Sequence, residues 1–184
     1  MKKLALFLGV ALCTLFSSSA HAGVFELGGT FSYQHNTYAG GTFTWTRMYT
    51  ASFGYYFTAD SEVEFSYQDS TNETYEPSVQ DITYRDRVYS FNFLYHLLDE
   101  KDWFRPYFRA GLGQLNRDAT GWYQGGYSPA GRLDQVTVIA GIGFKAKIVS
   151  QFSFKAEATT YLSGGSVSSW KDNIQINIGG SYFF

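Results

Sequence analysis

The run Val136–Ile148, VTVIAGIGFKAKI, decides the fold. Val136, Val138, Ala140, Ile142, Phe144, Ala146 and Ile148 occupy every second place, and Thr137, Gly141, Gly143, Lys145 and Lys147 fall between them. Successive side chains of a β-strand point to opposite faces, so this is a strand with one apolar face and one small or polar face. The same period of two continues in both directions along the chain. Towards the C-terminus it appears in Phe152–Leu162 and Ile174–Phe184. Towards the N-terminus it appears around Phe104–Leu112, Tyr89–Tyr95, Val63–Tyr67, Phe43–Phe57 and Phe25–Tyr33. Eight strands result.

Composition agrees with that count. The 184 residues are 45% hydrophobic, 20% aromatic and 16% charged, with 15 Tyr, 17 Phe, 4 Trp and 19 Gly. Aromatics with many glycines and few prolines favour β-structure. No run of 18 apolar residues exists, which excludes a helical membrane protein. A net charge of -2 argues against nucleic acid as a partner.

The connections alternate in length. Thr58–Ser61, Leu98–Asp102 and Val149–Gln151 are short, whereas Asn36–Thr42, Asp69–Asp81, Asn116–Asp134 and Ser163–Asp172 are long and polar. An up-and-down meander puts the short set at one end and the long set at the other. Membrane barrels carry short periplasmic turns and long external loops.

Alternation alone fits a soluble barrel with an apolar interior or a membrane barrel with an apolar exterior. Volume separates them, because eight strands enclose a space just wide enough for side chains. The polar face carries Gly28, Thr30, Ser32, Ser52, Gly54, Ser90, Gly111, Gly113, Gly179 and Ser181. That set fits inside. The Phe, Tyr, Trp and Ile face then lies outside, where only lipid solvates it, and closure pairs every backbone group as a bilayer demands. Ten residue steps, as from Phe57 to Arg47, cover about 25 Å at roughly 3.3 Å rise and about 40° tilt. The third strand departs from the pattern: beyond Tyr67 its outward phase reads Asp69, Thr71, Glu73. Either its phase or depth changes there, or these acids are paired.

Residues 1–22 read as a cleaved export leader. Lys2 and Lys3 precede the apolar stretch Leu4–Phe16, and Ala20-His21-Ala22 gives an A-x-A site. Cleavage after Ala22 removes Cys13 and leaves one barrel domain over residues 23–184 with 12 basic and 16 acidic residues. Without cysteine, that domain has no disulfide or thiol chemistry.

The C-terminal stretch Ile176-Asn177-Ile178-Gly179-Gly180-Ser181-Tyr182-Phe183-Phe184 and, more loosely, Arg105-Pro106-Tyr107 with Ala110-Gly111-Leu112-Gly113 resemble the small eight-stranded outer-membrane barrels of the OmpX, OmpA-transmembrane-domain and opacity-protein type. The resemblance spans the whole mature chain. It implies an outer-membrane location and an antiparallel transmembrane barrel. It also implies that Ile176, Ile178, Gly180, Tyr182 and Phe184 form the signal presented to the barrel-assembly machinery. It implies no single activity, because such barrels host structural, adhesive, transport and enzymatic members.

The inward phase holds Glu26, Glu62, Glu64 and Glu157 with Arg105, Arg109, Lys145, Lys147 and Lys155. Buried charges are expensive unless paired, so a salt-bridge cluster is expected to plug the periplasmic half. Above it, Ser, Thr, Gly, Gln and Asn leave either a water-filled pocket open to the outside or a packed core. Outside, Arg47, Arg85 and Arg87 cap the apolar bands. Guanidinium forks suit phosphate, so these three are candidates for contact with lipopolysaccharide phosphate. Pairing with Glu73, Asp69 or Asp86 is the competing reading. Trp45 and Tyr33 outside, and Trp103 and Tyr95 at the periplasmic end, read as aromatic girdles.

Catalysis has little to stand on. His35 and His96 end their strands on opposite sides of the membrane, and His35 lacks the His-x-Ser pattern of lipid A deacylases. No catalytic residue, cofactor or metal site is expected. The reading is a monomeric outer-membrane barrel with a structural or surface-interaction role. Its partners would be outer-membrane lipid and lipopolysaccharide, the assembly machinery, and an external partner reached through the loops, where Trp122, Tyr123 and Tyr127 form either a contact surface or a cover folded back onto the barrel rim. A narrow channel is the first alternative and a lipid A-modifying enzyme the second.

Overall fold

The computed structural model describes residues 24–37, 42–75, 82–98, 102–123, 126–163 and 174–184. The leader expected over residues 1–22 lies outside them. Eight strands follow one another: β1 (Val24–Thr37), β2 (Phe43–Tyr56), β3 (Ser61–Tyr75), β4 (Ile82–His96), β5 (Phe104–Tyr123), β6 (Gly126–Val149), β7 (Phe152–Ser163) and β8 (Ile174–Phe183). Each pairs antiparallel with its sequence neighbour, and β1 pairs with β8 to close the barrel. The seam ends on reciprocal bonds, Phe25 N–H to Phe184 O and Phe184 N–H to Phe25 O, both 3.0 Å. Closure leaves no open edge, which is the condition for a sheet in hydrocarbon.

The two faces separate as the sequence pattern demands. Phe91 is 62% exposed and Ile142 59%, whereas Leu94 and Ile139 are wholly buried. The exposed face of every strand is the aromatic and aliphatic one, as a bilayer around a closed barrel requires.

Three strands run further than expected. β3 continues through Asp69 to Tyr75 without changing phase, Asp69 lying opposite Arg87 and Glu73 opposite Thr83. The segment Asn116–Asp134 is not a loop but the far part of the β5–β6 hairpin, paired to Tyr123 and Gly126. Seven steps from Asn116 to Tyr123 carry it about 18 Å along the barrel axis. The register slips once within it: Ala119 pairs with Gly131 and Thr120 with Pro129. Gly131 has φ 152°, a backbone angle suited to glycine, and permits that bulge. Gly, Pro and Asp suggested a loop there. Cross-strand pairing with an equally extended neighbour, residue by residue to Tyr123 and Gly126, overrode that local preference.

The interior departs from the expected small polar filling. Met48, Tyr56, Val88, Leu94, Tyr107, Leu115 and Ile139 are buried inside. Inward glycines make room for them. A Cβ on Gly143 would collide with the Tyr107 ring, and one on Gly54 with the Glu62 carboxylate. Large side chains thus lie over glycines of neighbouring strands, and the lumen fills by large-with-small complementarity.

Candidate functional site

The strand parity that buries the polar face brings seven of the nine expected lumen residues into one buried network of two tiers. The lower tier centres on Lys145 of β6. Its Nζ donates to Glu26 Oε2 at 2.6 Å, Glu62 Oε2 at 2.8 Å and the Tyr56 hydroxyl at 2.9 Å. Tyr56 in turn donates to Glu26 Oε2 at 2.8 Å. His96 Nε2 lies 3.2 Å from Glu62 Oε2, and its ring stacks on Tyr56 with centroids 5.4 Å apart.

The upper tier is a ring of alternating charge. Arg109 NH1 donates to both oxygens of Glu157, at 2.9 and 3.0 Å, and NH2 lies 2.8 Å from Glu64 Oε1. Lys155 Nζ donates to Glu64 Oε2 at 2.9 Å, and the Tyr107 hydroxyl to Glu157 Oε2 at 2.8 Å. The Tyr107 ring lies between the tiers, 5.7 Å from Lys145 Nζ and 5.8 Å from Lys155 Nζ. Its electron-rich face suits both cations. Opposite charges at these distances offset part of the cost of removing them from water, and no group in the two tiers exceeds 5% exposure.

Two expected members stand apart. Arg105 is buried but bonds to the short turns instead of an acid: NH2 donates to Ala59 O at 2.7 Å and Nε to Leu98 O at 3.5 Å. Lys147 is exposed, because the β6–β7 register shifts between Lys147 and Val149 as the chain enters the turn. It lines a cavity of about 310 Å³ at the periplasmic mouth together with Arg105 and Trp103. Tyr56, Tyr107 and His96 are members that sequence reasoning missed. Parity marks all three, since each follows an outward residue: Tyr55, Pro106 and Tyr95.

Above the charges the lumen stays filled. Asn92 Nδ2 donates to Ser66 and Ser90, each at 3.1 Å. Beyond it Val88, Leu115 and Ile139 form an apolar cluster, against which Tyr161 packs. The Tyr161 hydroxyl reaches across to Gln68 of β3. Nearer the outer end Arg117 makes a two-bond fork on Asp86, both at 2.7 Å. The apolar cluster occupies the level at which an open polar pocket was one expectation.

On the outer wall each capping arginine has a carboxylate partner. Arg47 lies 2.7 Å from Glu73, Arg85 2.8 Å from Asp69 and Arg87 3.7 Å from Asp118. Asp86 is not among these partners, because it faces inward to Arg117. The pairs are diagonal across neighbouring strands. They answer the anomaly of β3: its outward acids are paired. Arg47 and Arg85 stay exposed beside their partners, and Arg87 partly so.

Among the described residues the two histidines lie at opposite ends of the barrel, His96 inside and His35 outside against Trp45, centroids 4.6 Å apart. Among the described residues no group of three His, Cys, Asp or Glu is placed to hold a metal. Ile176, Ile178, Tyr182 and Phe184 face outward on β8. Gly180 shares that face, where a Cβ would meet the Phe152 ring. The side chains of Trp122, Tyr123 and Tyr127 lie outside the described set.

The whole barrel matches the outer membrane protein beta-barrel domain family over residues 8–184. No curated protein matches the chain. Among solved structures, the N-terminal β-barrel domain of Pseudomonas aeruginosa OprF is similar at 21% identity and TM-score 0.59, covering 88% of this chain and 97% of that one. Pseudomonas aeruginosa OprG is similar at 15% identity and TM-score 0.55, covering 89% and 96%. Ail, the attachment invasion locus protein of Yersinia pestis, is similar at 14% identity and TM-score 0.54, covering 88% and 97%. At these identities the likeness is one of fold.

Proposed function

This chain belongs to the outer-membrane protein β-barrel family, and on that premise we propose that it is a sealed barrel with a structural or surface-interaction role. It presents its long outer strands and loops to the outside and conducts nothing through the lumen. One observation carries the reading: a two-tier ionic network and an apolar cluster occupy successive levels of the lumen. A pore of this diameter conducts only if both levels open, and each buried ion pair resists separation by several kcal/mol.

Export by the leader, cleavage after Ala22 and delivery of β8 to the assembly machinery complete the proposed route. The similar fold of Ail is that of an attachment invasion locus protein, and a second Ail structure is a complex with the heparin analogue sucrose octasulfate. A comparable external role here rests on the outer strand extensions and not on that likeness.

Single-channel recording in planar bilayers tests the seal. The expected trace is silent at moderate voltage. A steady conductance from the wild-type barrel refutes it and favours the narrow-channel alternative.

A further inference from the structure

The periplasmic mouth holds a buried cation that the sealing network does not use. Among the described residues Arg105, Arg109, Lys145 and Lys155 are the buried cations. Arg109, Lys145 and Lys155 each face two carboxylates. Arg105, only 8% exposed, faces none. Its Nε and NH2 donate to the turn carbonyls of Leu98 and Ala59, and its NH1 makes no hydrogen bond with the described residues. Neutral carbonyls orient a guanidinium but bring no opposite charge to it, so this charge is fixed in place and uncompensated.

The cavity of about 310 Å³ at this mouth lies against Arg105. Lys145 and Tyr56 of the lower tier border it, so the network forms its floor. Lys147 stands exposed on its rim. The Lys147 N–H donates to Trp103 O at 2.7 Å and holds this end of β6 against the start of β5. Val24 of β1 and Phe183 of β8 have inward parity and give the cavity an apolar wall at the seam, where the Phe183 ring lies 6.1 Å from that of Tyr56. Ser153 and Gln151 add polar groups from β7 and the turn before it. The acids beside the cavity are Asp102 and the carboxylate of Phe184, and neither makes an ion pair with Arg105 or Lys147.

We propose that this mouth binds the carboxylate end of a short peptide. Charge selects the carboxylate: Arg105 and Lys147 are two cations without acid partners, and a guanidinium N–H makes a strong, charge-assisted bond to a carboxylate oxygen. The apolar wall selects a peptide end over a bare inorganic anion, because the last side chain of a peptide is borne on the carbon next to its carboxylate. Ser153 and Gln151 suit the amide groups that follow. Size sets the length. The cavity lies at the small end of the range of about 300–1,000 Å³ for ligand sites, which admits about two small residues and not a long acyl chain. The site lies below the sealing network, so it stands whether or not the barrel conducts.

The test is calorimetric titration of N-acetyl-dialanine into the full barrel refolded in zwitterionic detergent. A second readout is Trp103 emission in a barrel carrying Trp45→Phe, Trp122→Phe and Trp170→Phe. Saturable binding is expected. The C-terminal amide of the same peptide binds about ten-fold more weakly, since the charge is gone. Affinity for the acid falls about ten-fold in Arg105→Gln. It falls about two- to five-fold in Lys147→Gln, whose exposed side chain makes no ion pair that folding would lose. Heat-modifiable gel migration verifies that each variant is a folded barrel. A preference for the D form of the peptide points to a cell-wall peptide as the source, and a preference for the L form to a protein fragment; either supports the site. The proposal is overturned if neither readout saturates, if the amide binds as well as the acid, or if folded Lys147→Gln keeps full affinity. Inorganic phosphate or octanoate binding as tightly as the peptide also overturns it.

Discussion

Replacing Lys145 by methionine removes the one cation shared by Glu26 and Glu62. Its Nζ lies 2.6 and 2.8 Å from the two carboxylates, and all three side chains are at most 2% exposed. No solvent is at hand to take the ammonium's place. Removing one partner of such a buried set costs about 3–5 kcal/mol, most of it the burial of uncompensated charge. At roughly 2 kcal/mol per molar of urea, the unfolding midpoint falls by about 1.5–2.5 M. The assay is urea unfolding of the refolded barrel in lipid vesicles, followed by tryptophan emission and by gel mobility. One control isolates the cause. The triple variant Glu26→Met, Glu62→Met, Lys145→Met recovers at least about 2 kcal/mol, since it buries no charge there. A single variant that loses less than about 1 kcal/mol, or a triple variant less stable than the single, refutes the reasoning.

Gly143→Val drives a side chain into the Tyr107 ring. It costs about 1–3 kcal/mol in the same assay, and Tyr107→Leu added to it restores much of the loss. Arg85→Gln breaks an outer pair whose members are 53% and 24% exposed; its urea midpoint shifts by the equivalent of at most about 1 kcal/mol. Deleting Phe184 removes both seam bonds to Phe25 and lowers stability by about 1–3 kcal/mol. In cells the assembled yield, read by heat-modifiable migration of outer-membrane fractions, falls further than that loss accounts for if β8 also carries the assembly signal.

What could be read from the chain followed from parity, and what could not followed from length and context. The outward placement of Phe91 and Ile142 needs only a period of two and the volume of an eight-stranded barrel. The pairing of inward acids with inward bases needs only their parity and the cost of a bare buried charge. The reach of β3 past Tyr67 was not legible, because Asp69 and Glu73 look wrong on a lipid face until Arg85 and Arg47 are seen beside them. The β5–β6 extension was hidden by Gly121, Pro129 and Gly131, which signal a turn locally and sit in a paired ladder in fact. Tyr107 inside the lumen needed knowledge of register, since only the pairing of Tyr107 with Gly143 shows that space is kept for its ring.

Register is also where the lumen charges matter beyond sealing. A period of two means that a strand slipped by two residues keeps every apolar side chain in lipid and every polar one inside. The hydrophobic pattern therefore does not distinguish the native pairing from a neighbour displaced by about 6.6–7 Å. The ionic network does. Lys145 of β6 meets Glu26 of β1 and Glu62 of β3, and Arg109 of β5 meets Glu64 of β3 and Glu157 of β7. A two-residue slip of a strand past its partners carries its charge out of ion-pair range and leaves a bare buried charge on each side. Each such misalignment carries a penalty of about 3–5 kcal/mol, comparable with the whole stability of many folded domains. Pairs joining strands that are not hydrogen-bonded neighbours thus fix the stagger of the whole closed sheet, and the stagger sets its tilt and diameter. On this account, the charges that block the lumen also specify which barrel forms.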